Sequence, residues 1–105
     1  MNDKLLTKLL ELAVKDTDTS ILPFKVGEKY LFRTVTYFAT GRIKKITGKF
    51  LELEEAAWIA DTERFREAIM EGTLNEVEPV DTMGINTDAI VDYFPWKHSL
   101  PTKQK

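Results

Sequence analysis

Residues 38–56 read FATGRIKKITGKFLELEEA, and this stretch decides the fold. Apolar residues alternate with polar ones, and β-branched and aromatic side chains are frequent, as is typical of strands. Gly41 lies inside the first strand and indicates a bend or the close approach of another backbone. Thr47 and Gly48 form a tight turn before the next strand, which ends at Glu54. The stretch therefore predicts a bent β-hairpin.

Helices and further strands are predicted on both sides of this hairpin. Apolar residues in the segment 2–15 recur at spacings of three and four, which predicts an amphipathic helix. A second helix is predicted over residues 62–71, and Gly72 closes it. Strands are predicted at residues 30–35, 37–46, 50–54, 56–60, 74–80 and 89–94, with a loop over 81–88 and a frayed tail from residue 100.

The composition is that of one ordinary globular domain. The chain has 105 residues, of which 43% are hydrophobic and 30% are charged. Its 15 basic and 17 acidic residues give a net charge of −2, which is not the basic surplus of a typical nucleic-acid binder. Cysteine is absent, which excludes disulfides and thiolate sites, and no apolar run approaches the ~20 residues of a membrane span. We expect a cytoplasmic domain without a signal peptide, metal or other cofactor.

The pattern of the hairpin resembles the Sm-like family, which includes the Sm and Lsm proteins and bacterial Hfq. In that family an apolar strand is followed by a glycine, an apolar residue two positions later, a turn and another apolar strand. These positions fall here on Phe38, Gly41, Ile43 and Leu53. The glycine allows the strand to bend sharply enough for five strands to close a small barrel.

The resemblance implies a single domain over residues 1–105 that is mainly β. An N-terminal helix precedes a five-stranded, SH3-like barrel over residues 28–80. The helix at about 62–71 is then an insertion, and residues 81–105 form a C-terminal extension with an extra strand.

The resemblance does not extend to the RNA-binding positions of the family. Thr47, Gly48 and Lys49 stand in the turn where Asp and Asn are usual, and Ile46 replaces the base-stacking aromatic residue of Hfq. No Arg-Gly or Lys-His pair occurs near residues 60–76. The uridine pocket is therefore not carried over. The architecture that the family implies is a ring of about five to seven copies, in which the fourth strand pairs with a neighbour's fifth.

A basic cluster formed by Arg42, Lys44, Lys45 and Lys49 is the candidate nucleic-acid site. A ring would repeat these charges around its axis and strengthen their field. The alternative is a solvated strand face that keeps a sheet edge soluble.

The candidate oligomer contacts are the large side chains Trp58, Ile59, Val77, Tyr93 and Trp96. Trp and Tyr are enriched where proteins meet, although the same residues can close the chain's own core.

Two other groups of residues are weaker candidates. Phe32, Tyr37 and Phe38 can stack on bases, but aromatic residues of a small barrel are mostly core. Glu52, Glu54 and Glu55 can act as acids, bases or cation ligands, yet no nucleophile or phosphate loop accompanies them, so an exposed acidic face is favoured. We therefore predict that the protein is not an enzyme.

Two functions follow from these residues. The first is a non-enzymatic Sm-like protein that assembles into a homo-oligomeric ring and binds RNA or single-stranded nucleic acid. The alternative is an oligomeric structural or adaptor protein, related to phage proteins, that holds protein partners through residues 62–71 and 89–98. Neither function requires a membrane or a small-molecule substrate.

Overall fold

A computed structural model describes residues 22–105, which form one antiparallel sheet. In chain order the elements are β1 (Lys29–Thr34), β2 (Phe38–Thr47), β3 (Phe50–Asp61), α1 (Phe65–Glu71), β4 (Glu76–Asn86), a 3-10 turn (Thr87–Ala89) and β5 (Ile90–Pro95). Across the sheet the five strands follow the order β4-β3-β2-β1-β5, so β4 and β5 lie at the two ends. No helix among the described residues is long and apolar enough to cross a membrane.

The mainly β fold and the helix after the third strand are confirmed. The predicted N-terminal helix of residues 2–15 lies outside the described residues. The strand boundaries needed correction at two places. Residues 50–54 and 56–60 belong to the single strand β3, and residues 81–86, predicted as loop, continue β4. The predicted extra strand is therefore β5, the fifth strand of the sheet.

Both corrections arise from backbone irregularities that interrupt the alternation of buried and exposed residues. Glu55 in β3 and Asp81 in β4 have positive φ angles of 48° and 67°. The pairing register of β3 shifts next to each of them. A bulge moves the alternation by one residue, so in the sequence one continuous strand looks like two elements.

These irregularities lie side by side across the sheet. Gly41 of β2 lies opposite Glu55 and Ala56 of β3, because its neighbours Thr40 and Arg42 pair with residues 57 and 54. Ala56 is in turn paired with Asp81 of β4. β3 and β4 therefore change the face that they bury at the same level, whereas β2 keeps Ala39 and Ile43 in one core on either side of Gly41. The bend predicted at Gly41 lies beside this change.

The sheet buries both of its faces as a result. The barrel core, on one face, contains the buried residues Phe24, Tyr30, Phe32, Ala39, Ile43, Leu51, Leu53, Ala56 and Ile85. The helix core, on the other face, contains Leu31, Ala57, Ile59, Ala68, Leu74, Val77, Trp96 and Leu100. Helix α1 and the segment after β5 cover this second face.

Helix α1 begins three residues later than predicted because Asp61 forms a local turn first. Its carboxylate accepts hydrogen bonds from the Glu63 amide at 2.9 Å and from the Asn75 side-chain amide at 2.7 Å. The bonds from Asn75 and then from Glu63 lower the pKa of Asp61. The helix ends as predicted at Gly72, which has a φ of 78° and donates its N–H to Ala68 at 2.9 Å.

The segment after β5 is fixed rather than frayed. The His98 ring packs edge-on against Trp96, and its Nε2 lies 2.8 Å from the Ile69 carbonyl at the end of α1. Further along, the Lys105 N–H donates to the Val77 carbonyl at 3.0 Å, and the Val77 N–H donates to the Lys105 carbonyl at 3.1 Å. The predicted frayed tail is wrong because these backbone bonds hold it on β4.

Substitution of Gly41 tests the close approach at the bend. A Cβ at residue 41 would lie 3.0 Å from both Cβ and Cδ1 of Leu53, and Cβ of Leu53 is fixed by its backbone. We expect Gly41→Ala to lower the free energy of unfolding by about 1–3 kcal/mol, measured by urea denaturation. Gly84→Ala is the control, because a Cβ there meets nothing within 4 Å. Equal losses in the two variants would contradict the role given to Gly41.

Two buried threonines provide a second test of the core. The hydroxyl of Thr40 makes no hydrogen bond within the described residues, whereas that of Thr34 donates to the Tyr37 carbonyl at 2.8 Å and accepts the Tyr37 N–H at 3.1 Å. Thr40→Val should leave stability unchanged or raise it by up to about 1 kcal/mol, and Thr34→Val should lower it by about 1–2 kcal/mol. Thermal and urea unfolding distinguish the two, and a loss in Thr40→Val as large as that in Thr34→Val would refute this account.

Candidate basic cluster and sheet edges

The basic cluster lies on β2 and the β2–β3 turn, but carboxylates surround it. Arg42 Nη1 lies 2.9 Å from Glu55 Oε1, and Lys49 Nζ lies 3.1 Å from Asp88 Oδ2. On the pairing register, Arg42 also faces Glu54 and Lys45 faces residue 52. Opposite charges that face each other across strands stabilise a sheet and cancel one another's field. The structure therefore brings the four basic residues together with four acidic ones.

Lys44 and Lys45 are the members of the cluster that remain available. Both side chains are exposed, and neither takes part in an ion pair within residues 22–105. Lys44 borders a shallow groove across β2, β3 and β4, lined also by Glu52, Leu53, Thr82, Met83 and Gly84. These two lysines are the part of the cluster to which an anionic ligand has direct access.

The outer edge of β4 falls into two halves on either side of Asp81. In the first half, Val77 directs both backbone groups outward, where residue 105 binds them. In the second half, the Thr87 N–H bonds inward to the Lys49 carbonyl at 2.8 Å. The backbone N–H and C=O groups of successive residues in a strand point alternately to its two sides. The outward backbone groups of this half therefore belong to residues 82, 84 and 86.

The outer edge of β5 follows from the same alternation. The Trp96 N–H bonds inward to the Lys29 carbonyl at 3.0 Å. In the register with β1, the backbone groups of Phe94 and Asp92 also point inward to β1. Those of Tyr93 and Pro95 point outward. Asp92 accepts two hydrogen bonds from Arg33, of which that from Nε is 2.8 Å long. These bonds raise the pKa of Arg33 and fix β5 against β1.

A proline occupies an outward position on each edge. Pro79 lies in the first half of β4, and Pro95 lies at the end of β5. Proline has no N–H to offer to another strand, and natural sheets use it to limit pairing at their edges. At these two positions a partner strand would find a C=O acceptor but no N–H donor. The prolines therefore restrict how much of each edge can form a complete ladder of hydrogen bonds.

The candidate oligomer contacts separate into buried and exposed residues. Ile59, Val77 and Trp96 are almost fully buried in the helix core of the same chain. Trp58 and Tyr93 are exposed over 44% and 37% of their surface. Of the five candidates, the structure thus places two where they can meet a partner. Sequence reasoning missed Gly84 and the segment at residue 105, for which no periodic pattern gives a signal.

The remaining aromatic and acidic candidates show no site. Phe32 is fully buried, and Phe38 packs against Phe65 of α1 at 5.6 Å between ring centroids. Tyr37 contacts Trp58 edge-on at 6.0 Å on the surface. Within the described part of the chain, no three His, Asp or Glu side chains lie close enough together to hold a metal ion.

Comparison with known proteins yields one match. No protein-family model and no curated protein matches the chain. Among solved structures the chain is similar to the crystal structure of a heptameric archaeal Sm protein. The likeness covers 67% of this chain and 87% of that one, with 18% identical residues and a TM-score of 0.45.

Proposed function

We propose that this chain is a non-catalytic subunit that assembles into a closed homo-oligomer by pairing β4 of one copy with β5 of the next. The observation that supports this proposal is the pair of sheet edges. Within residues 22–105, neither edge has a neighbouring strand beside it apart from the contact at Val77. An exposed edge is a template for another strand, and contacts between two different edges produce rings when the rotation closes.

The strand directions favour pairing between copies over closure within one chain. In an antiparallel sheet of five strands, the first and the last run in the same direction. Closing the sheet on itself would pair β4 and β5 in parallel, the slightly less stable arrangement. Two separate copies can instead place the same strands antiparallel. The ring of about five to seven copies that the sequence resemblance implies is compatible with this pairing.

Binding of RNA or single-stranded nucleic acid is the second candidate function. Two observations support it: Lys44 and Lys45 are exposed and unpaired within the described residues, and a ring would repeat them in every copy. Arg42 and Lys49 contribute less because their charges are matched by Glu55 and Asp88. The charge balance favours a structural or adaptor role, in which the ring binds protein partners only.

The oligomeric state is the first test. We expect native mass spectrometry of the full chain, purified without nuclease, to show one closed species of a fixed number of copies. A monomer at micromolar concentration would contradict the proposed assembly. Additional mass that ribonuclease removes would support RNA binding, and a bare oligomer would favour the structural role.

The lysine pair provides the test of nucleic-acid binding. We expect Lys44→Ala combined with Lys45→Ala to lower the affinity for a labelled single-stranded RNA. The salt slope of binding should become smaller by about 1.4 for each subunit that contacts the strand. Lys25→Ala combined with Lys97→Ala is the control, since it removes the same charge from exposed lysines elsewhere. Absence of RNA binding by the unaltered protein at low salt would refute this function and leave the oligomer as the conclusion.

A further inference from the structure

We infer that residues 101–105 cover the first half of the β4 edge with a segment of the chain itself. They thereby restrict a neighbour's β5 to the second half, with Tyr93 of the next copy opposite Gly84. This inference rests on the proposed assembly and specifies its register. It concerns which backbone groups of each edge remain free.

The first half of the β4 edge has no donor left for a partner. Both backbone groups of Val77 are bonded to Lys105, at 3.1 and 3.0 Å. The next outward residue is Pro79, which has no N–H. Gln104 also approaches Glu78, with 3.4 Å between Nε2 and Oε1. A neighbouring strand would have to displace these contacts to reach residues 76–80.

Pro101 and Thr102 extend this cover to the bulge. They line a shallow groove with Glu55, Ala56, Pro79, Val80 and Asp81, the level at which the sheet changes its buried face. Leu100, just before them, is buried in the helix core. The segment is therefore anchored at one end by an apolar side chain and at the other by two backbone hydrogen bonds.

Among residues 22–105, no segment pairs with the second half of the β4 edge. Thr82, Gly84 and Asn86 direct their backbone groups outward, and all three residues are exposed. A Cβ at residue 84 would meet nothing within 4 Å. Glycine within a strand commonly marks a place where another backbone approaches closely.

The length of β5 selects one register on this half. Outward residues must face outward residues, so Tyr93 can lie opposite residue 82, 84 or 86. Opposite Gly84, the six residues of β5 extend from Thr82, just after the bulge at Asp81, to Thr87, the first residue of the 3-10 turn. A shift by two residues would place one end of β5 over the bulge or extend the other end along the whole turn. The ring of Tyr93 packs edge-on against Phe24 and Tyr30 of its own chain, and Gly84, which has no side chain, leaves room for the exposed part of this ring.

Disulfide cross-linking of the full chain tests this register, because the chain contains no cysteine. We expect the variant Gly84→Cys with Tyr93→Cys to form, on mild oxidation, a ladder of covalent oligomers on a non-reducing gel. Facing residues of an antiparallel pair lie ~5.5 Å apart, within the range of a disulfide. Pro79→Cys with Tyr93→Cys is the matched control, because residue 79 also faces outward and is not buried, and this variant should stay monomeric on the gel. Cross-links at 79 and none at 84 would overturn the inference.

The outcome separates the register from the assembly itself. If the unaltered chain is monomeric by native mass spectrometry, the proposed assembly fails. If the chain is oligomeric but residue 93 cross-links to residue 79, 82 or 86 in preference to 84, the assembly holds and this register is wrong.

The role of residues 101–105 is tested in the same assay. Deleting them should reduce the 84–93 cross-link at least severalfold relative to the full chain and allow cross-linking between residues 79 and 93, because Pro101 and Thr102 border residue 79. Lys105→Pro, which removes only the N–H that bonds Val77, should act in the same direction if the deletion does not fold. Lys103→Pro is the control, because the Lys103 N–H donates no hydrogen bond within residues 22–105. An unchanged 84–93 cross-link in both test variants would refute the role of the segment.

Discussion

The structure depends on the line of irregular residues that crosses β2, β3 and β4. A regular strand buries one face, and a slip of one residue exposes every apolar side chain of that strand. Glu55 and Asp81 lie along this line and let β3 and β4 change the buried face together, beside Gly41 of β2. Without this change of buried face, only one of the two apolar faces in the described part of the chain would be covered by a core. The other would be exposed to water. A left-handed conformation at a non-glycine residue costs roughly 1–2 kcal/mol. Two such residues are retained because they allow both cores to form.

The same line of irregular residues separates two halves of the β4 edge that differ in what covers them. On one side of it, β4 faces the helix core and is covered by the chain's own residues 101–105. On the other side, β4 faces the barrel core, and no segment of residues 22–105 bonds to its outer backbone. Three of the five predicted contact residues belong to the helix core of the chain itself, so they are not available to a partner. Backbone pairing at the edges and the exposed apolar side chains are the contacts that remain.

Local patterns in the sequence were sufficient to predict the elements but not how they connect. The bent hairpin, the glycine in β2 and the end of α1 at Gly72 each depend on a few adjacent residues, and all three are present. The division of β3 at residue 55 was wrong because a bulge and a strand end produce the same break in alternation. The contact between Val77 and Lys105 joins residues far apart in the sequence through backbone atoms, which all residues share. No side-chain pattern could have revealed it.

The function of the basic cluster also could not be predicted from local sequence alone. Arg42, Lys44, Lys45 and Lys49 form a stripe in the sequence, yet their field depends on the acidic residues that the fold places beside them. Glu55 and Asp88 are ion-paired with two of the four, and the register places residues 52 and 54 opposite β2 on the neighbouring strand.

Repetition in a ring multiplies the whole set of charges, including the acidic ones, and each copy carries a net charge of −2. An assembly of this chain therefore becomes more acidic as copies are added. Within the basic cluster, attraction for a polyanion comes from Lys44 and Lys45 acting over distances shorter than the ~8 Å at which salt screens exposed charges. Strand pairing has no such limit, because its hydrogen bonds do not depend on the charge of the subunits, and this makes assembly the better supported of the two functions.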